Sequence, residues 1–192
     1  MAYDLYKEFR DFTCKNANIT LSAGVTIVDP KFPIYKSAEL AGEALDEKAK
    51  TGEKNRVCIF DEVFRWDVPP KETEFDTVLK LKDMLYDLLH TKKVSRALLY
   101  RIFETYADFE EFKKELERGE MKVHRVWRLL YLLKRFGERH KNAVSELKDI
   151  ENIYIDTVWN KINWDEKGIK NKPEIIPAAV KWAELLTRGG EG

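Results

Sequence analysis

Two hydrophobic periods divide the chain. Up to Phe60 there are short stretches in which apolar residues alternate, whereas beyond Pro70 they recur only with the 3.6-residue period of helices. From Ile19 to Val28, the residues Ile19, Leu21, Ala23, Val25 and Ile27 alternate with Thr20, Ser22, Gly24, Thr26 and Val28. That predicts a strand with one apolar face and one small-residue face. Asp29-Pro30 and Phe32-Pro33 stop it, because proline has no N–H to give to a ladder. A helix is predicted from about Ile34 to Lys50, with Ala38, Ala41, Ala44, Leu45 and Ala49 as a smooth stripe suited to lying close on a sheet. Gly52 ends it, and Arg56 to Phe60 supplies a second strand. Ahead of this unit, Leu5, Phe9 and Phe12 predict a short amphipathic helix over Asp4–Lys15. Two strands and a crossover helix are rarely stable alone, so the sheet is expected to gain strands from an edge-paired second copy or from other polypeptide.

Trp66-Asp67-Val68-Pro69-Pro70-Lys71 marks the boundary, giving domains over 1–68 and 71–192. After it only helices are predicted. One carries Phe75, Val78, Leu79, Leu81, Leu85, Leu88 and Leu89. A second is capped by Ser95 and carries Leu98, Leu99, Ile102, Phe103 and Tyr106. A third, short and charged, runs from Phe109 to Arg118. A fourth spans about Met121–His140 on Val126, Leu129, Leu130 and Leu133, and a fifth Ala143–Lys161 on Leu147, Ile150, Tyr154 and Val158. The last runs from about Pro173 to Arg188 with Ala179, Val180, Trp182, Ala183 and Leu186 as its contacts, and Pro177 favours a later start. The expected fold class is α+β, a βαβ remnant followed by an all-α bundle of five or six helices.

Charge sharpens this picture by exclusion. The 192 residues carry 34 basic and 34 acidic side chains, so no global field draws the protein to nucleic acid and any such contact must be local. Cys14 and Cys58 lack disulfide-framework or metal-ligand spacing, which suits a reducing compartment. No apolar run approaches the ~20 residues needed to cross a bilayer, so a soluble, cytoplasmic protein without membrane contact is expected. The richness in Lys and Glu suits a thermophile.

Candidate chemistry is sparse. His90, His124 and His140 share no ligand spacing with Cys, Asp or Glu, and Asp61, Glu62 and Asp67 read as a solvated acidic turn more readily than as a divalent-ion site. No catalytic residue or metal site is expected. Ser22 and Gly24 mark the small strand face, where a ligand, a second domain or a bulge would explain the missing side chains. Lys48, Lys50 and Lys54 cluster around a helix end, where they complement the dipole or contact a triphosphate. Arg125, Arg128, Arg135 and Arg139 fall within about 80° of one another on a helical wheel, a basic stripe open to RNA phosphates, to an acidic partner or simply to solvent.

The order ITLSAGVTIV, PIYKSAELAGEALDEKAK, GEKNRVCIF resembles the C-terminal half of a cyclase palm domain of the GGDEF type, a ferredoxin-like fold. It is most similar to that of the large signature subunit of type III-A (Csm-type) CRISPR interference complexes. KLKDMLYDLL and KVSRALLYRIFETY resemble the start of that subunit's helical domain. The resemblance implies antiviral defence, with other subunits of the complex, including small helical ones, and guide/target RNA as partners. In the intact family a Gly-Gly-Asp-Asp hairpin holds divalent metal (Mg or Mn) for making cyclic oligoadenylate from ATP, and some members add an HD nuclease domain. Here the only Gly-Gly is Gly189-Gly190, so the expectation is a fragment without its own cofactor or catalysis, which completes a nucleotide-binding palm through Ser22, Gly24, Lys48, Lys50 and Lys54. The alternatives are a stand-alone helical adaptor dimerising through residues 1–68, or a divergent cyclase or nucleotide hydrolase.

Overall fold

The structure, a computed structural model, describes residues 1–52, 54–66, 74–118, 127–155 and 174–189; within these, the side chains of 108–113, 115–117 and 189 are not described. It divides into two compact units, residues 1–75 and 76–192.

The first unit runs α1 (Ala2–Phe12), β1 (Ala23–Val25), α2 (Ile34–Glu43, continued by a π-helical stretch over Ala44–Ala49), β2 (Arg56–Ile59) and β3 (Glu62–Arg65). The sheet order is β1-β2-β3. β1 lies parallel to β2 in the register Gly24↔Cys58, and β3 antiparallel to β2 with Val57↔Phe64 and Cys58↔Val63. The crossover that a parallel pair requires is supplied by α2.

Three sequence expectations change here. The acidic turn after the second strand is a hairpin: Phe60 and Asp61 take φ of 55° and 70°, the two left-handed positions of a type I′ loop, and Glu62 opens a third strand. The first strand is only three residues long, because β2 offers ladder partners to Ala23, Gly24 and Val25 alone. The face of α1 is rotated: Tyr6 is its buried residue, whereas Leu5 and Phe12 are 56% and 88% exposed.

Strand alternation gives the sheet two dissimilar faces. On one, Cys58 packs with Ala44 and Ala49 of the π-helical stretch, joined by Leu45 and Val63. On the other lie Val57, Ile59 and Phe64, all buried. Trp66 continues the Phe64 side of β3 and is fully buried; Tyr6 stacks on it at 4.6 Å between ring centroids and Phe75 meets it edge-on at 5.2 Å. Its indole N–H donates to the Leu21 carbonyl at 2.8 Å, tying the approach to β1 to the exit from β3.

The second unit contains α3 (Glu74–His90, whose first two residues belong to the first unit), α4 (Ala97–Glu117), α5 (Trp127–Arg139), a 3₁₀ turn (Lys141–Ala143), α6 (Val144–Tyr154) and α7 (Ile175–Gly189). Among the described residues this unit has five helices, as expected of a helical bundle. The separate helix expected over Phe109–Arg118 is instead the continuation of α4, since nothing between Tyr106 and Phe109 breaks the backbone ladder. The Met121–Val126 start of the fourth expected helix, the Val158–Lys161 end of the fifth and the Asp67–Lys71 boundary lie outside the described residues.

Val78, Leu81, Leu85 and Leu88 of α3, Leu98, Leu99 and Ile102 of α4, and Ile175, Ile176, Ala179 and Ala183 of α7 are buried. Leu129 and Leu133 of α5 are buried, as are Leu147, Ile150 and Tyr154 of α6. Phe103 and Leu186, expected in the core, are 38% and 41% exposed. α7 begins two residues before Pro177, which therefore sits in its first turn, where a missing N–H costs no helical bond. Among the described residues no helix is long and apolar enough to cross a membrane.

Candidate nucleotide and nucleic-acid surfaces

The small-residue face of β1 turns toward α2. A Cβ on Gly24 would lie 2.4 Å from the Ala41 carbonyl oxygen, 2.6 Å from the Leu45 nitrogen and 3.1 Å from the Ala44 carbonyl carbon. What approaches Gly24 is thus the backbone of its own crossover helix, at a distance that only glycine permits. Thr26, on the same face, donates from Oγ1 to the Ser37 carbonyl at 3.4 Å, and Ser22 Oγ accepts from the Asn55 N–H at 3.1 Å.

The three lysines sit on the exposed side of this unit. Lys48 Nζ pairs with Asp61 in the β2–β3 turn at 3.0 Å, and the hydrogen bond to that carboxylate raises the ammonium's pKa. Lys50 pairs with Asp46 one helical turn back at 2.7 Å. Lys54 is exposed beside Asn55, the residue that engages Ser22. Four of the nucleotide candidates are thus held in separate contacts: Ser22 against Asn55 ahead of β2, Gly24 against α2, Lys48 at the hairpin turn and Lys50 on its own helix. Both ion pairs are largely exposed, so exchanging a carboxylate for a phosphate there has a small cost.

Cys58 is buried between sheet and helix, and burial pushes its thiol pKa up; Cys14 is exposed. His90 stacks on Tyr86 and His140 on Phe136, while His124 and Asp67 lie outside the described residues. Among the described residues no three His, Cys, Asp or Glu side chains converge closely enough to hold a metal ion.

In the second unit Arg128, Arg135 and Arg139 are all exposed on α5; Arg125 lies outside the described residues. The sequence reading passed over the aromatics on the same side, Trp127 and Tyr131, which are 59% and 56% exposed. Their positions at i and i+4 were visible in the sequence, but their exposure was not, since aromatic residues at helical spacing ordinarily belong to a core. The Arg135 guanidinium lies 5.6 Å from the Tyr131 ring centroid.

Residues 1–58 match the model of the Cas10/Cmr2 second palm domain. Over 79 residues the chain is 33% identical to the CRISPR system single-strand-specific deoxyribonuclease Cas10/Csm1 (subtype III-A) of Methanocaldococcus jannaschii, covering 35% of this chain and 10% of that protein. It is 30% identical over 142 residues to the protein of the same name from Streptococcus thermophilus, covering 72% of this chain and 17% of that protein. The chain therefore spans a small part of the length of these relatives. No solved structure matches it significantly. By its first 58 residues the chain belongs to the family of Cas10/Cmr2 second palm domains, and its relatives are the Cas10/Csm1 proteins of CRISPR subtype III-A.

Proposed function

We propose that the chain is a scaffold portion of the large subunit of a type III CRISPR effector complex. In this reading the first unit completes a nucleotide-binding palm, the second contacts neighbouring subunits and guide/target RNA, and the catalytic aspartates come from elsewhere in the complex. The observation that carries it is the state of the first unit. Its three-stranded sheet has β1 at one edge, and apolar side chains of the same unit remain exposed: Leu5 and Phe12 of α1, Ile19 and Ile27 flanking β1, and Ile34 in the first turn of α2 at 85%. An edge strand in a unit that also exposes apolar side chains suits a palm that needs further strands. Lys48 and Lys50, whose carboxylate partners are exposed, would supply phosphate contacts once ATP and a divalent metal are held by the completed palm.

Co-expression with a polypeptide carrying the Gly-Gly-Asp-Asp half of a relative's palm tests the reading. Stable co-purification, lost in Leu5→Asp/Phe12→Asp, is the expected result. ATP titration of that assembly should then weaken with Lys48→Ala/Lys50→Ala. A stable homodimer that ignores the added half would instead support the adaptor reading, and ATP turnover by the 192-residue chain alone would overturn the division of labour.

A further inference from the structure

The outer face of α5 combines two features that the proposed RNA contact does not by itself require. Taken at 100° per residue, its exposed positions form a continuous arc of roughly 140° in the order Lys134, Trp127, Glu138, Tyr131, Arg135, Arg128, Arg139. All seven side chains are exposed. Four are basic and one acidic, an excess of three positive charges on a 13-residue helix in a chain whose total charge is zero. The two aromatic residues lie in the half of the arc toward Lys134, with the three arginines filling the other half, and are one turn and about 6 Å of rise apart. Tyr131 and Lys134 also line an open groove of ≈ 650 Å³ between α5 and α6, together with Leu130, Val144, Glu138 and Glu151.

Phosphate contact alone needs cations, and a solvated face needs no aromatics. A face with two exposed rings alongside a row of arginines matches a strand whose bases are unpaired, because each base offers a π-face to stack while the backbone meets the guanidinium groups. An RNA duplex hides its bases and would leave both rings against water. We propose that the Trp127–Tyr131 face of α5 is a stacking platform for single-stranded RNA, with Arg128, Arg135, Arg139 and Lys134 holding the phosphates. The choice of RNA rests on the function proposed above.

The test is fluorescence anisotropy of the full chain with a labelled, unstructured 12-nucleotide RNA across a salt series. Competitors are the same RNA as a duplex, an abasic 12-mer, DNA of the same sequence and poly-glutamate. Single-stranded RNA should bind, and the duplex and abasic strand should compete poorly. Trp127→Ala and Tyr131→Ala should each weaken binding about five-fold or more with the salt slope unchanged, and Trp127→Phe should restore most of the loss. Arg135→Ala and Arg139→Ala should each reduce the salt slope by about 0.7. Because these side chains are exposed, circular dichroism should find the variants folded.

The inference is overturned if RNA does not bind, if both alanine variants bind as the parent does, or if duplex and abasic strands compete equally. Tighter binding of DNA overturns the choice of RNA, and displacement by poly-glutamate that depends on the arginines but not on Trp127 assigns the face to an acidic protein. A chain that co-assembles with the palm half yet shows no aromatic-dependent RNA binding overturns this inference alone. Failure to co-assemble with aromatic-dependent binding intact overturns only the function on which the choice of RNA rests.

Discussion

Gly24→Ala separates packing from ligand approach at the position where the sequence left both open. The new methyl carbon would sit 2.4 Å from the Ala41 oxygen, where ordinary contact begins at 3.4 Å, so the helix must retreat by about 1 Å or the strand must twist away. Both atoms nearest the methyl are backbone, which cannot swing aside as a side chain can. Overpacking of this kind costs about 1–3 kcal/mol, a large part of the roughly 4–11 kcal/mol typical of a unit of this size. Cys58, the register partner of Gly24 in β2, provides a local reporter: its thiol is buried and its pKa raised, so labelling requires opening of the first unit. In a Cys14→Ser background, Gly24→Ala should accelerate modification of Cys58 by a disulfide reagent by about 30-fold for a loss near 2 kcal/mol. Gly42→Ala is the control. Nothing lies within 4 Å of its added carbon and it sits inside α2, so it should slow labelling through a gain of about 0.5–1 kcal/mol. If Gly24→Ala leaves the Cys58 rate unchanged while Gly42→Ala behaves as stated, helix approach is not what this glycine serves.

Trp66→Ala should cost about 3–5 kcal/mol in denaturant unfolding, since it empties the stack between Tyr6 and Phe75 and strips the Leu21 carbonyl of its donor; Trp66→Phe should recover a substantial part of that loss. Phe60→Asn should raise the melting temperature modestly, by about 0.5–1 kcal/mol of stability, because asparagine tolerates the left-handed conformation that Phe60 is made to hold. The Lys93 ammonium, 2.7 Å from Glu146, holds that carboxyl below its ordinary pKa. The pair's contribution is therefore full above the carboxyl's unfolded pKa and fades as pH falls through the lower folded value. Lys93→Ala should shift the urea midpoint at pH 7, and the shift should shrink steadily as pH is lowered below the carboxyl's ordinary pKa.

Alternation and helical period sufficed to locate most elements, because burying one face of a strand or helix writes that period into the sequence itself. They located α2, β1, β2 and most of the helical seams, and the segment order carried the family. The β2–β3 hairpin escaped because its turn is Phe60-Asp61 instead of the Asn-Gly or Asp-Gly pairs that announce a type I′ loop; only the pairing of Val57 with Phe64 and Cys58 with Val63 holds those residues at positive φ. The burial of Tyr6 rather than Leu5 or Phe12 depended on Trp66, sixty residues further along, which no local pattern can see.

For function the division is similar. The sequence by itself determined which residues carry charge or lack a side chain: the arginines of α5, the lysines after α2, and Ser22 and Gly24. Only the tertiary structure decided what faces them. It set helix backbone against Gly24, the hairpin carboxylate of Asp61 against Lys48, and solvent against Trp127 and Tyr131. The physical reason is that composition and period fix a residue's chemistry and its side of an element, whereas the neighbour across the gap is chosen by contacts between distant parts of the chain.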